Sequence, residues 1–219
     1  MSERAQDPTE LFDVVFADGR PRGIAKKRSD VHKDGDWHVS LHVWVYGLDP
    51  IGPYLAFQRR GKFKDTHPLI LDATVGGHLR AGESVEESLR EVEEEIGRPV
   101  TLAELQSIGV RVAVSEGAPG VIDRELQHVF LWRVDEPLST FAPNPDELES
   151  LVQLPLVDIL AIFGDGIVAA DALELKAGSA ILTPTLITRS EFLAGIDRYP
   201  YRVAIAAMNA LRGDRYISI

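Results

Sequence analysis

The chain has 219 residues, of which 45% are hydrophobic and 26% are charged. These values are typical of a globular protein with one substantial domain and an extension, or with two small domains. The net charge of −11 argues against a general nucleic-acid surface, because phosphate backbones attract Lys and Arg. The absence of cysteine excludes disulfide bonds and thiolate catalysis. The N-terminus is polar and no apolar run approaches the ~20 residues of a membrane span, so we expect a cytoplasmic protein without membrane contact.

The N-terminal part of the chain predicts a tail followed by a hairpin. Residues 1–10 are polar, and we expect them to form a flexible tail. Leu11–Phe16 and Gly23–Arg28 predict the two strands of the hairpin. The basic residues at 26–28 are interpreted as exposed cations on a strand edge, with phosphate contact as the alternative.

A longer strand is predicted at Trp37–Tyr46, where two kinds of side chain alternate. One face is aliphatic, and the other carries His, Ser, Trp and Tyr. The second face is too aromatic to be simply solvated, so we expect it to line a pocket or to be covered by another element. Tyr54–Arg59 predicts the antiparallel partner of this strand.

The stretch 76–97 combines a glycine turn, an amphipathic helix and a helix stop. Ser84 and Glu87 form an S-x-x-E capping box, and Gly97 before Pro99 is a natural helix end. The apolar stripe of this helix consists of Val85, Leu89, Val92 and Ile96.

Three glutamates share the opposite side of that predicted helix. At roughly 100° per residue, Glu91, Glu94 and Glu95 fall within about a 100° arc. Carboxylates this close repel one another, and a hard divalent cation such as Mg²⁺ or Mn²⁺ would relieve the repulsion. A solvated acidic face is the alternative interpretation.

The same stretch resembles the signature of the Nudix hydrolase superfamily, G-x5-E-x7-R-E-U-x-E-E-x-G-U, where U is bulky and apolar. The matching residues are Gly77, Glu83, Arg90, Glu91, Val92, Glu94, Glu95 and Gly97. Two positions depart from the pattern: six residues instead of seven separate Glu83 from Arg90, and the last apolar position is Arg98. The shorter spacing is expected to rotate Glu83 relative to the helix.

The resemblance implies a fold, a cofactor and a reaction. The implied fold is an α/β/α sandwich with a mixed β-sheet, and the implied reaction is metal-dependent attack of water on a diphosphate linkage. The implied ligands of Mg²⁺ or Mn²⁺ are Glu91, Glu94, Glu95 and the carbonyl of Gly77. Arg90 would act by orienting the glutamates through an ion pair.

A second resemblance, over roughly residues 11–160, is to the branch that contains isopentenyl-diphosphate isomerase. The residues that carry it include His32, His38, Gln58-Arg59-Arg60, Lys64, Asp72 and Gly76-Gly77-His78. It implies that Arg59, Lys64 and His78 bind substrate, whereas solvated charge on a loop is the alternative for the two cations. Type I isomerases carry a catalytic cysteine at the position of Gly76, so their mechanism cannot run in this chain.

The region after residue 97 predicts further strands. Val100–Ala113 should include one, 115–120 reads as a flexible loop, and Glu125–Arg133 reads as another strand. Glu125 matches an acidic residue that the isomerase branch places near the metal, where it would be a ligand or the base that activates water. A strand-end glutamate without such a role is the alternative. The candidate catalytic residues are therefore Arg90, Glu94 and Glu125.

The end of the chain divides into the rest of the domain and an extension. We expect a strand and a helix within 151–162, completing a domain of residues 11–163. Residues 164–219 are predicted to be a helical extension packed on that domain, with helix in Ser190–Leu211 and a break or start at Pro200. The extension is a candidate for capping the pocket, for selectivity and for a homodimer contact.

These observations predict a metal-dependent pyrophosphohydrolase that acts on a small-molecule diphosphate. Nucleoside di- or triphosphates or their derivatives are the expected substrates, by analogy with the family. Trp37, Trp44 and Phe63 are candidates for stacking on a base. The alternatives are an isopentenyl-diphosphate isomerase-like enzyme and a non-catalytic nucleotide-binding module.

Overall fold

A computed structural model of the protein describes residues 9–64, 66–118, 120–164, 166–193, 195 and 197–219. Most of the predicted tail lies outside these residues. Within the described ranges, none of the helices has both the length and the apolar character needed to cross a bilayer.

One mixed sheet dominates the described part of the chain. Its strands are β1 (Leu11–Val15), β2 (Pro21–Lys27), β3 (Trp37–Leu48), β4 (Pro53–Arg60), β5 (Leu71–Asp72), β6 (Val75–His78), β7 (Leu105–Ala118), β8 (Val121–Arg133), β9 (Leu148–Pro155), β10 (Ala169–Lys176) and β11 (Leu182–Thr188). The α-helices are α1 (Arg28–Asp34), α2 (Arg90–Ile96), α3 (Leu156–Phe163) and α4 (Tyr199–Leu211).

Strand β3 is the hub of the sheet. It pairs antiparallel with β1, β4 and β6 along different parts of its length, and parallel with β8 from Trp37 to Tyr46. The path through the sheet runs β11-β10-β9-β4-β3-β1-β2. The parallel β3–β8 ladder among antiparallel neighbours confirms the expected mixed sheet.

The two faces of β3 serve two different cores, as the alternation in the sequence predicts. Leu41, Val43 and Val45 pack under α2, and the intervening Trp44 and Tyr46 pack under α3 and α4. Helices on both faces of one sheet make the α/β/α sandwich that the sequence predicts.

The structure corrects three local expectations. The stretch 115–120 was expected to be a loop, but β7 continues to Ala118 because its backbone pairs with β8 as far as Val121. The helix expected from Ser84 begins as a 3-10 turn at Glu87–Leu89 and becomes α-helical only at Arg90. The extension is not purely helical, since β10 pairs with β9 and carries the sheet outward to β11.

Candidate active site

The glutamate cluster on α2 lies in a cavity of about 340 Å³ beside the glycines of β6. Glu91, Glu94, Glu95 and Gly77 all line this cavity, so the structure brings the predicted metal ligands together. Glu95 is 2% exposed, whereas half of the Glu94 side chain is open to solvent. A Cβ atom on Gly77 would lie 2.6 Å from Cδ of Glu91, so only glycine permits this approach of strand and helix.

Arg90 donates hydrogen bonds to the carboxylates of Glu83, Glu91 and Glu94. Its Nε and Nη2 donate to the two oxygens of Glu83, at 2.8 and 3.2 Å. Its Nη1 donates to Glu91 and, at 2.9 Å, to Glu94. The short spacing therefore does not carry Glu83 away from Arg90. A 3-10 turn at Glu87–Leu89 lies between the two residues, and the Ser84–Glu87 capping bonds hold that turn.

Burial makes two of the three glutamates costly to ionise. Burial raises the pKa of Glu95 to about 8, against the opposing effect of Lys64 and with a contribution from the nearby Glu91 carboxylate. Burial also raises the pKa of Glu91, to about 7, against the opposing effect of Arg90. The carboxylates offer only oxygen atoms as ligands, which suits a hard divalent cation. A bound cation would hold them in the charged form, which burial alone disfavours.

A second group of potential metal ligands lies on the other side of the glycine strand. His32, His38, His78 and Asp123 each offer one ligand atom, and these atoms lie within 4.8 Å of one another. His32 Nε2, His38 Nε2 and Asp123 Oδ1 are buried and have no hydrogen-bond partner among the described residues. Burial lowers the pKa of His32 to about 4, so the imidazole is neutral and able to bind a metal at neutral pH.

Sequence reasoning missed this second group as a site. In the sequence the histidines carry only the resemblance to the isomerase branch, and Asp123 is distant from all three. Residues 31–38 and 123 meet because β3 and β8 pair in parallel with His38 opposite Glu125. The sequence signal for this site is that Asp123 and Glu125 are two residues apart near the start of β8. Residues with this spacing share one face of a strand.

Glu125 lies beside this second group rather than in the glutamate cluster. Its carboxylate accepts from Ser40 Oγ at 2.7 Å, from Gln127 Nε2 at 2.6 Å and from His78 Nε2 at 3.1 Å. Burial alone would raise the pKa of Glu125, but the hydrogen bond from His78 holds it well below the usual range. The carboxylate is therefore ionised and accepts three hydrogen bonds.

The predicted substrate-binding residues separate into two sets. Lys64 and His78 line both the glutamate cavity and a larger adjoining cavity of about 710 Å³. Arg59 lines neither cavity, because its guanidinium pairs with Glu174 at 3.4 Å and with Glu191 at 2.9 Å on the extension. The neighbouring Arg60 faces the larger cavity instead.

Arg28 corrects the interpretation of the basic run 26–28 as exposed cations. It is 6% exposed, because it begins α1 and turns inward rather than lying on a strand edge. Its Nη1 lies 3.0 Å from His78 Nδ1, and it lines both cavities. A guanidinium can only donate, so His78 accepts through Nδ1 and presents Nε2–H to Glu125.

The extension closes the larger cavity. Leu193, Gly195, Asp197, Tyr199 and Pro200 form part of its wall. The polar face of β3 lines this cavity through Ser40, His42 and Trp44, as its composition suggested. Trp44 is fully buried and packs edge-on against Tyr199, so its ring is not available to stack on a base.

Comparisons with known proteins place this geometry in context. The NUDIX domain family profile matches residues 36–172. An uncharacterized Nudix hydrolase of Clostridium acetobutylicum is 29% identical over 203 residues, covering 91% of this chain and 97% of the relative. A protein of Photobacterium profundum named isopentenyl-diphosphate Delta-isomerase is 30% identical over 142 residues, covering 64% of this chain and 77% of the relative.

Solved structures share the fold. A crystal structure from Deinococcus radiodurans superposes with a TM-score of 0.52 and 22% identity, over 72% of this chain and 90% of that chain. A Nudix hydrolase from Alicyclobacillus acidocaldarius gives a TM-score of 0.50 and 17% identity, over 83% of this chain and 96% of that chain.

Proposed function

The chain belongs to the NUDIX domain family, as a hydrolase of pyrophosphate bonds, and from that premise we propose a specific activity. It is a Mg²⁺- or Mn²⁺-dependent pyrophosphohydrolase that cleaves the diphosphate linkage of nucleoside di- or triphosphates or their derivatives. The observation that carries the proposal is the glutamate cluster facing Gly77, in which burial raises the pKa of Glu91 and Glu95, so that a divalent cation would hold both carboxylates in the charged form.

The proposed metal ligands are Glu91, Glu94, Glu95 and the carbonyl of Gly77. A bound cation would neutralise phosphate charge, polarise the phosphorus and lower the pKa of a bound water. Arg90 is a positioning residue, because it holds Glu91 and Glu94 by hydrogen bonds while anchored to Glu83.

The cations around the two cavities support phosphate binding. Lys64 is buried with its Nζ 2.7 Å from Glu147, and it lines both cavities together with Arg28 and His78. We assign diphosphate binding to Lys64, Arg28 and Arg60, with Arg59 outside this set. His78 borders the diphosphate from the β6 side.

The base that activates water is assigned to Glu94 rather than to Glu125. Glu94 is half exposed at the glutamate cavity, and its side chain bonds to Arg90. Glu125 accepts three hydrogen bonds and has a lowered pKa, which makes it a poor proton acceptor.

The test of this function is Glu91→Gln with Glu93→Gln as its matched control. Glu93 is an exposed glutamate on the same helix and lines neither cavity. We expect Glu91→Gln to lower turnover by at least ~100-fold while the protein stays folded, since loss of outer-shell partners alone costs up to that much. Glu93→Gln should match the wild type. Near-wild-type rates in Glu91→Gln would refute the site assignment.

A specific observation also favours an isomerase-like second candidate. The group of His32, His38, His78 and Asp123 and the likeness to a protein named as an isopentenyl-diphosphate isomerase both point to it. The absence of cysteine, with Gly76 at the position of the catalytic thiol, argues against it. Isopentenyl diphosphate separates the candidates, because hydrolysis releases phosphate and isomerisation does not.

A further inference from the structure

We propose that the C-terminal extension is part of the active site, because Arg111 and Gln127 relay its contact to Glu125. In this relay Arg111 and Gln127 are positioning residues, and Asp197 of the extension is its outer end. Glu125 is not the base in this relay; it holds His78, which borders the diphosphate, through the hydrogen bond from His78 Nε2. The inference rests on the proposed function for this catalytic consequence, but the relay itself is a feature of the described side chains.

The outer end of the relay fixes Arg111 from two sides. Arg111 Nε donates to Asp197 Oδ2 at 2.7 Å. The guanidinium also lies over the ring of Tyr199, 4.1 Å from its centroid. Tyr199 cannot shift freely, because its hydroxyl accepts from Trp44 Nε1 at 2.9 Å and lies 3.0 Å from His42 Nδ1.

The inner end of the relay reaches the carboxylate of Glu125. Arg111 Nη1 donates to Gln127 Oε1 at 2.6 Å, and Gln127 Nε2 donates to Glu125 Oε2 at 2.6 Å. The orientation of the amide is unambiguous, because a guanidinium can only donate and a carboxylate can only accept. The pairing of β7 with β8 favours these contacts. Arg111 lies directly opposite Gln127, and Glu125 lies two residues before Gln127 on the same face of β8.

All four relay side chains line the larger cavity. A substrate in that cavity therefore meets the extension and Glu125 together. The extension is also held in place by contacts outside the relay. Glu191 pairs with Arg59 outside the cavity, and apolar residues of the extension are buried in the core. Glu191 therefore provides a matched control for simple docking.

Two substitutions of Gln127 separate positioning from packing. Gln127→Glu keeps an acceptor for Arg111 but cannot donate to an ionised Glu125, and Gln127→Met keeps the volume with neither bond. We expect both to lower kcat by about 10–100-fold with KM within about twofold, the scale of outer-shell partners. Wild-type kcat in Gln127→Glu would show that Gln127 serves only Arg111, and would overturn the proposal.

A double-variant cycle tests whether the extension acts through Gln127. Asp197→Ala alone should lower kcat by about 10-fold, and adding it to Gln127→Met should cause no further loss. Multiplicative losses would overturn the relay. Glu191→Gln should leave kcat unchanged, and a loss equal to that of Asp197→Ala would show general docking instead.

Binding of Co²⁺ is a readout of the relay that does not depend on the proposed hydrolysis. Glu125 accepts a hydrogen bond from His78 of the group His32, His38, His78 and Asp123, so we expect a displacement of Glu125 to change the visible absorption of Co²⁺ bound by these imidazoles. We expect the Gln127 variants to shift that spectrum and to weaken Co²⁺ binding by about 10–100-fold, while Glu191→Gln matches the wild type. If the wild type hydrolyses none of the tested diphosphates, the proposed function is refuted. The Co²⁺ spectrum would still show whether Gln127 positions Glu125. Unchanged Co²⁺ binding in the Gln127 variants, or none in the wild type, would overturn the relay.

Discussion

Gly77 and Gly76 are neighbours on β6 that face different surroundings. A Cβ on Gly77 would lie 2.6 Å from Glu91 Cδ, whereas a Cβ on Gly76 would meet no atom closer than 3.5 Å. We therefore expect Gly77→Ala to push Glu91 aside and to lower metal-dependent turnover by at least ~10-fold. Gly76→Ala should stay within about twofold of the wild type. Equal effects of the two substitutions in a steady-state assay would contradict the close approach of β6 and α2.

The raised pKa of Glu95 predicts how stability depends on pH. Burial raises this pKa from 4.5 to about 8, so between these values the folded state binds more protons than the unfolded state. In the metal-free protein, the contribution of Glu95 to the free energy of unfolding therefore falls as pH rises from about 4.5 to 8. Mg²⁺ should restore stability at pH 8, because it binds the folded state.

Thermal unfolding in chelator measures this dependence. The Tm of the wild type relative to that of Glu95→Gln, which cannot ionise, should fall across that pH range, at about 2–4 °C for each kcal/mol. The comparison isolates Glu95, because buried histidines with a lowered pKa, such as His32, favour folding as pH rises and affect both proteins alike. A difference in Tm between the two proteins that is constant from pH 5 to pH 8 would refute the buried state of this carboxyl.

Some site residues could be predicted from the sequence and others could not. Glu91, Glu94 and Glu95 are neighbours on one helix, so local spacing alone predicts that they share a face. Asp123 and Arg111 meet their partners only through strand pairing between distant segments. The sequence shows the strands but not their register. Arg59 and Arg60 illustrate the same point, since one residue decides which arginine faces the cavity.

At the scale of the element, α2 depends on how its C-terminal end is held. Gly97 adopts a left-handed conformation with φ of 70°, and Asn144 donates through its backbone N–H to Glu95 O and through Nδ2 to Glu94 O. The segment after residue 141 therefore satisfies carbonyls that the helix leaves open. This cap fixes the turn that carries two of the three glutamates.

Replacing Gly97 tests that cap. A Cβ at this position would have the strained φ and would also lie 2.8 Å from Ala142 O. Gly97→Ala should cost more than the ~1–3 kcal/mol of backbone strain alone and should weaken Mg²⁺ binding. Gly23→Ala is the matched control, because Gly23 also has a positive φ, of 71°, but open space around it. Equal losses of Tm for the two variants would show that the contact with Ala142 is unimportant.

Elements with strong local signals were predicted well, and the β10–β11 hairpin was not. The alternation of β3 and the stop of α2 are properties of their own segments. Strand β11 contains Pro184, which reads as a strand breaker, yet β11 is the outermost strand and has one pairing partner. An edge position tolerates a residue without a backbone N–H. The edge position of β11 is visible only in the assembled sheet.

At the scale of the whole molecule, the extension completes the larger core. Ile187, Val203 and Ala207 are fully buried in the same cluster as Val152 and Ile159 of the preceding residues. The proposed boundary at residue 163 therefore separates two parts that share one core. The extension also supplies Asp197 and Tyr199 to the wall of the larger cavity, so the packed core and the lining of that cavity depend on the same segment.

Truncation measures this dependence. A protein of residues 1–163 should lack a cooperative thermal transition, because it would expose the partner surface of β9 and α3. Removal of residues 212–219 alone should lower Tm and keep the transition, since most of the buried extension residues precede them. A cooperative transition of residues 1–163 near the wild-type Tm would show that the extension is dispensable for folding.

The central claim is that this site cleaves diphosphates with the help of a divalent cation. The most direct measurement is product release from nucleoside di- and triphosphates, nucleotide sugars, dinucleoside polyphosphates and isopentenyl diphosphate, with and without Mg²⁺ or Mn²⁺. The account predicts metal-dependent hydrolysis of a nucleotide class and no isomerisation. No turnover across this panel, with the protein folded and the metal bound, would contradict it and favour a nucleotide-binding module.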